Sequence, residues 1–221
     1  MRGKILVAAL VAVMAAVVIA VYPVASVAAA IPDPSVDIPP AANTGTQTAV
    51  LAGGCFWCTE AVLEQLKGVQ SVTSGYAGGK AGDARYDMVA AGKTDHTESI
   101  QIVFDPKQIT YGQILKVFFG VAHDPTQLNR QGPDWGRQYR SAIFWVDAEQ
   151  ERVAKTYIKQ LADAKVFSDP IVTEVARLEH FYEAEAYHQN FVKRHPSHPY
   201  VVVNALPKLK KLDKTFPELV K

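Results

Sequence analysis

The stretch Ala49-Val50-Leu51-Ala52-Gly53-Gly54-Cys55-Phe56-Trp57-Cys58 decides the fold. Its first four residues form a short apolar run closed by two glycines, which reads as a buried strand and its stop. Cys55 opens a helical segment to Lys67, with Ala61, Val62 and Leu66 apolar and Gly68 as the stop. Val69 to Tyr76 is strand-like and ends at Gly78-Gly79. His96, Glu98, Ile100, Ile102 and Phe104 then alternate with Thr97, Ser99 and Gln101, a strand with one apolar face, closed by Asp105-Pro106. Thr110 with Gln113 makes a capping box for a helix to about Ala122. Ser141 to Val146 is another apolar strand. Asp147 with Gln150 caps a helix whose Val153, Ala154, Tyr157, Ile158 and Leu161 form one stripe. The order β-α-β-β-α-β predicts an α/β chain of the α+β kind, a ferredoxin-like two-layer sandwich with helices on one sheet face. Val172 to Leu178 adds a strand, Phe181 to Lys193 reads as a helix, and Pro207 onward is a lysine-rich, partly helical tail with a solvated face.

Outward from that core, Arg2 and Lys4 precede an uncharged run from Ile5 to Tyr22, then Pro23 and Ala28-Ala29-Ala30. Residues 1–30 therefore read as an export signal cleaved after Ala30. The run is also long enough to cross a bilayer, so an inner-membrane anchor facing outward is the alternative. Either reading puts the remainder outside the cytoplasm, in the periplasm or an equivalent space. Residues 31–47 hold four prolines without an apolar period and read as a linker, with the folded domain spanning 48–221. With 48% hydrophobic residues in 221, the chain is not disordered and suffices for one domain with appendages. Balanced charge, 23 basic against 22 acidic side chains, gives no support to a nucleic-acid binder.

The two cysteines stand together, Cys55 and Cys58. A cysteine opening a helix faces free N–H groups and the positive end of the helix dipole, which lower a thiol pKa and favour the nucleophilic thiolate. Three residues on, Cys58 comes within disulfide reach, so the pair can attack and then release by closing a disulfide. A zinc half-site lacks a second pair, even with His96 or His123 as helpers, and haem attachment needs a histidine where Thr59 stands. A structural disulfide closes too short a loop to stabilise much. A thioredoxin-type oxidoreductase is the serious rival. Phe56 and Trp57 make either an apolar wall beside the nucleophile or part of the core. Glu98, on the apolar strand face, is either a desolvated proton donor near neutral pH or a frayed, solvated strand end.

With these residues the chain resembles the peptide methionine sulfoxide reductases that act on the S epimer. The resemblance rests on Gly54-Cys55-Phe56-Trp57, Asp95-His96-Thr97-Glu98, His123-Asp124-Pro125-Thr126 and Gln131-Gly132-Pro133-Asp134. Gln138-Tyr139-Arg140-Ser141-Ala142-Ile143 and Ala184-Glu185-Ala186-Tyr187-His188-Gln189 complete it, in family order over about residues 49 to 191. It implies Cys55 as the attacking thiol and Phe56 and Trp57 as the wall for the substrate methyl. It implies Glu98 as the acid for the sulfoxide oxygen, Tyr86 and Tyr139 as hydroxyls that hold that oxygen, and Asp134 as an ordering polar group. Oxygen transfer would leave Cys55 as a sulfenic acid, resolved to a Cys55–Cys58 disulfide. Tyr86 follows Gly82-Asp83-Ala84-Arg85 where relatives often carry Asn-Pro-Thr, so its role rests on spacing. Ala186 stands where an acidic residue is common. The tail lacks the resolving cysteine many relatives carry, leaving Cys58 as the internal candidate, and His195 and His198 read as surface loop. The implied activity is thiol-dependent repair of oxidised proteins and of free methionine sulfoxide, by a monomer without prosthetic group or metal. Its co-substrate would be an external thioredoxin-like or dithiol reductant. The rivals that remain are a thiol–disulfide exchanger and a non-catalytic exported binding domain.

Overall fold

A computed structural model describes residues 31–39 and 45–221. Residues 1–30, read from the sequence as an export signal or membrane anchor, lie outside the described residues. Among the described residues, no helix is long and apolar enough to cross a membrane.

The chain runs through β1 (Gln47–Gly53), α1 (Phe56–Glu64), β2 (Val69–Ala77), α2 (Tyr86–Ala90), β3 (Thr97–Phe104) and α3 (Tyr111–Val117). A short hairpin follows, β4 (Arg130–Gln131) and β5 (Asp134–Trp135), then β6 (Ser141–Trp145), α4 (Ala148–Asp163), β7 (Glu174–Arg177), β8 (Phe181–Glu183), α5 (Phe191–Arg194) and α6 (Leu206–Thr215). The main sheet has the order β7-β6-β1-β3-β2-β8. Its middle four, β6-β1-β3-β2, are mutually antiparallel, which is the ferredoxin-like arrangement that β-α-β-β-α-β predicts. β7 adds in parallel beside β6, and β8 adds antiparallel beside β2.

The apolar run of β1 suits a central strand covered on both faces. Ala49 and Leu51 enter the main core under α1, α3 and α4, with Ile100, Ile102 and Phe104 of β3. Val50 and Ala52 enter a smaller cluster on the other face with Ala77, Ala142 and Phe144. α3 begins with the capping box read from Thr110 and Gln113. Asp147 caps α4 through the Gln150 amide, while the Gln150 side chain reaches back to the Val146 N–H and across to the Thr48 carbonyl.

Two segments behave differently from the sequence reading. Phe181 to Lys193 is not one helix. Phe181, Tyr182 and Glu183 pair with Ala77, Tyr76 and Gly75, and only Phe191–Arg194 is helical, after Asn190 in the left-handed region at φ 55°. Edge pairing with β2 supplies backbone partners that outweigh local helical pattern. Gly75 permits it, since a Cβ there would lie 2.3 Å from the Phe181 ring. Residues 31–39, read as linker, form no regular element but are docked. Asp37 accepts the Gly112 N–H at 2.8 Å at the start of α3, Tyr157 donates to the Pro32 carbonyl at 2.7 Å, and Lys116 pairs with Asp33 at 2.6 Å. Ile31, Val36 and Ile38 pack on the main core.

Candidate active site

Gly54 turns the chain from β1 into α1 at φ 86°, a conformation that disfavours any side chain, and a Cβ there would lie 2.4 Å from Gln131. Gln131 is itself locked: its side chain accepts the Asp124 N–H and donates to the Asp124 carbonyl. His123 beside it bridges the Phe118 carbonyl and the Ser141 hydroxyl, and burial lowers its pKa to about 3, so the ring is neutral. His96 uses Nε2 on the Lys80 carbonyl. Arg140 is held by Glu174 and the Asp95 and Arg137 carbonyls. These motif residues therefore build the frame around the cysteine rather than a metal centre. Among the described residues no group of three or more His, Cys, Asp or Glu converges to hold a metal.

Within that frame, Cys55, Phe56, Trp57, Tyr86, Glu98, Asp134, Tyr139 and Tyr200 line one cavity of about 170 Å³. Seven of these are the site residues read from sequence; the eighth, Tyr200, was missed. Cys58 does not line the cavity. It lies beneath, 2% exposed, and its thiol hydrogen-bonds that of Cys55. A larger cleft of about 450 Å³ lies on another face of α1, but it contains neither cysteine nor Glu98, so size does not mark the chemistry here.

Each cavity residue has a distinct support. Glu98 is 2% exposed, on the β3 face it shares with Ile100 and Ile102, and it accepts the Phe56 N–H at 3.0 Å. Burial pushes its carboxyl to about 8, against the pull of that hydrogen bond, and the nearby Asp134 adds to the rise. It is thus protonated at neutral pH, a buried acid and not a frayed strand end. Phe56 is 1% exposed and packs against Tyr76 and His188 while still presenting an edge to the cavity, so it serves core and wall together. Trp57 stacks on Phe191 at 3.6 Å and donates from Nε1 to His188 Nδ1 at 3.1 Å. The His188 ring also contacts Tyr86 at 4.3 Å, which fixes tryptophan and tyrosine relative to one another. Tyr200 donates to Asp134 at 2.5 Å. Glu185, after β8, takes the Tyr76 hydroxyl and the Tyr86 N–H, tying the edge strand to the cavity wall. His195 and His198 are exposed.

The thiol electrostatics overturn one expectation. Cys55 is raised well above an ordinary thiol, first by burial, then by its hydrogen bond with Cys58 and, at a pH where Glu98 is ionised, by that carboxylate. Cys58 is lowered, chiefly by the hydrogen bond from Cys55. The helix-start effect loses because the first free amide, Phe56 N–H, is aimed at Glu98 rather than at sulfur. Cys55 caps α1 without a side-chain hydrogen bond. The resting nucleophile is a thiol.

Glu60, on α1, is a second buried carboxyl, accepting from Ser74 Oγ at 3.1 Å and from the Asn190 N–H at 2.9 Å. Burial raises it to about 7. A carboxyl whose folded pKa lies above its unfolded one stabilises fully below the unfolded value and loses that contribution as pH rises through the folded one. Glu60→Gln still accepts the Asn190 N–H on its amide oxygen, turns its NH2 to donate to Ser74 Oγ, and removes the titration. Thermal unfolding should then show a smaller drop in Tm between about pH 5 and pH 8 than in the unaltered protein. Equal drops would show that Glu60 does not carry this linkage.

Comparison with known proteins agrees over nearly the whole folded region. A family model described as peptide methionine sulfoxide reductase matches residues 47–219. The peptide methionine sulfoxide reductase MsrA 2 of Synechocystis sp. is 54% identical over 193 residues, 86% of this chain and 90% of the relative. The peptide methionine sulfoxide reductase MsrA of Deinococcus radiodurans is 49% identical over 166 residues, 75% of this chain and 80% of the relative. Among solved structures, reduced Mxr1 from Saccharomyces cerevisiae aligns with TM-score 0.64 at 32% identity, covering 69% of this chain and 87% of that one. Methionine sulfoxide reductase A of Corynebacterium diphtheriae aligns with TM-score 0.61 at 34% identity, covering 71% of this chain and 78% of that one.

Proposed function

Because this chain belongs to the peptide methionine sulfoxide reductase family and is an oxidoreductase that returns methionine sulfoxide to methionine, we propose that it acts on the S epimer through Cys55, Glu98 and Cys58. The observation that carries this reading is one cavity holding a half-buried thiol, Cys55, and a carboxyl protonated at neutral pH, Glu98. A volume of about 170 Å³ suits a single side chain, with its methyl against Phe56 and Trp57.

The chemistry follows from the resting protonation states. An unprotonated sulfoxide is a poor electrophile and a protonated thiol a poor nucleophile, so attack has to be coupled to proton delivery. Glu98 gives its proton to the sulfoxide oxygen, with the Tyr86 and Tyr139 hydroxyls holding that oxygen. The sulfur becomes electrophilic, and Cys55 bonds to it while its own proton passes to the carboxylate. Transfer of the oxygen leaves methionine and a Cys55 sulfenic acid. The Cys58 thiol then displaces the hydroxyl, which leaves as water, and the Cys55–Cys58 disulfide forms. A dithiol of the thioredoxin class returns both cysteines to thiols. Burial holds Tyr86 near 12 and raises Tyr139 as well, so both remain hydrogen-bond donors throughout. Tyr86→Phe and Tyr139→Phe should each lower kcat by roughly ten- to a hundredfold with the fold intact, measured by methionine release. An unchanged kcat in both would remove the tyrosines from the mechanism.

The leader points to work outside the cytoplasm, on oxidised proteins there, with an exported thioredoxin-like reductant. N-terminal sequencing of the protein from its native host should find Ile31 first; an intact residue 1 in the membrane fraction would mean an anchor instead. For the activity itself, the protein is incubated with each methionine sulfoxide epimer and dithiothreitol. Methionine from the S epimer alone supports the reading. Insulin reduction without methionine formation would point to a disulfide exchanger.

A further inference from the structure

The two sulfurs of the C-x-x-C pair are not equivalent. Cys55 lines the open cavity, whereas Cys58 is 2% exposed in a cluster with Ala61, Val192, Val201 and Ala205. A reductant arriving from solvent therefore meets only one of them. Disulfide exchange needs attacking, central and leaving sulfurs close to one line, and a central sulfur facing the cavity with its partner beneath it meets that need.

The leaving sulfur then departs into a dry site, where an uncompensated thiolate is costly. Positive charge reaches it from Lys208, on the first turns of α6, the helix whose Leu206 and Leu209 flank the Cys58 cluster. Its ammonium group is fixed by donation to the Ala122 carbonyl at 2.6 Å, and Ala122 is fully buried. Lys208 also acts electrostatically to lower Cys58, opposed by Asp134 and by burial, with Tyr200 as a hydrogen-bonding helper.

We propose that the reducing dithiol attacks the sulfur of Cys55 alone, and that Cys58 leaves as a buried thiolate compensated by the Lys208 ammonium. The proposal rests on the reading of Cys58 as the resolving cysteine. A thiolate of the dithiol bonds to Cys55 Sγ, the Cys55–Cys58 bond breaks, and its electron pair goes to Cys58 Sγ. The second thiol of the dithiol then attacks its own linked sulfur and releases Cys55. Two protons from the dithiol end on the two cysteines, and the reductant leaves as a disulfide. A leaving thiol of lower pKa departs faster, so Lys208 is a positioning charge for recycling and has no part in oxygen transfer.

The test uses the full-length protein oxidised by one turnover of methionine sulfoxide, its intact mass recording whether the intramolecular disulfide has formed. It is mixed with a thioredoxin whose second active-site cysteine is serine, so the mixed disulfide persists. Chymotryptic cleavage at Phe56 or Trp57 separates the two cysteines, and mass spectrometry locates the linked one. Linkage at Cys55 is expected; linkage at Cys58 overturns the proposal. Absence of the intramolecular disulfide before reductant is added refutes instead the underlying role of Cys58, and the proposal with it. Lys208→Gln should slow recycling at saturating thioredoxin by roughly tenfold while the single-turnover yield and rate of methionine stay unchanged. Lys208→Arg should restore most of the loss. Equal slowing of both steps, or of neither, removes Lys208 from the mechanism.

Discussion

Replacement of Cys55 by serine abolishes methionine formation outright, whereas replacement of Cys58 stops the enzyme after one cycle; this pair of outcomes is the largest effect expected. A serine hydroxyl at neutral pH is unionised and a far poorer nucleophile than sulfur, and no carboxylate in the cavity is a strong enough base to ionise an alcohol before attack. The buried carboxyl within reach, Glu98, already carries its own proton at about 8. Cys58→Ser leaves Cys55, the aromatic wall and Glu98 in place, so about one methionine per enzyme forms quickly and Cys55 is trapped as a sulfenic acid that dimedone labels. Turnover with thioredoxin then collapses, while small thiols at high concentration recover part of it. Quenched single-turnover measurements decide the matter. If Cys58→Ser recycles with thioredoxin as fast as the unaltered protein, Cys58 is not the resolving residue.

Glu98→Gln is the second large effect. Glutamine still accepts the Phe56 N–H and fills the same volume, so the start of α1 is preserved. It carries no acidic proton, and kcat should fall by roughly 10²–10⁴. The pH dependence gives an independent check. The active form is the protonated one, so activity in the unaltered protein is present at neutral pH and declines as pH rises through about 8. That alkaline limb should vanish in Glu98→Gln, whose low residual rate has no carboxyl to lose. Near-normal turnover in the variant would refute the acid role.

The β-α-β-β-α-β order was legible because its signals are local. Thr110 with Gln113 and Asp147 with Gln150 announce helix starts within four residues, and the alternation through Glu98, Ile100 and Ile102 marks which face of β3 goes inward. What was misread depends on partners distant in sequence. Phe181 to Glu183 becomes a strand because the edge of β2 is free to pair, and no window around Phe181 contains that fact. Tyr200 enters the cavity from the start of the helical turn that continues through Val201–Ala205, 66 residues from the Asp134 it contacts. A tyrosine after His-Pro-Ser-His-Pro carries no local mark of chemistry. The thiol was misjudged for a related reason. Helix-end electrostatics can be read from Gly54-Cys55-Phe56, but burial depth and the carboxyl competing for the same amide come from β3.

The docking of residues 31–39 bears on how the protein is produced. A proline-rich stretch before the family-matched region invites trimming to about residue 47. Such a chain would lose Asp37, which holds the Gly112 amide and the Thr110 hydroxyl at the start of α3. Loss of a helix-capping side chain costs about 1 kcal/mol. It would also uncover the core surface beneath Ile31, Val36 and Ile38 and leave Lys116 without its Asp33 partner. Gly112 has no side chain to fill the gap, since its bare Cα is shaped around that carboxylate. Recombinant material begun at Ile31 should therefore melt higher and aggregate less than material begun at Gln47, with the catalytic residues identical in both.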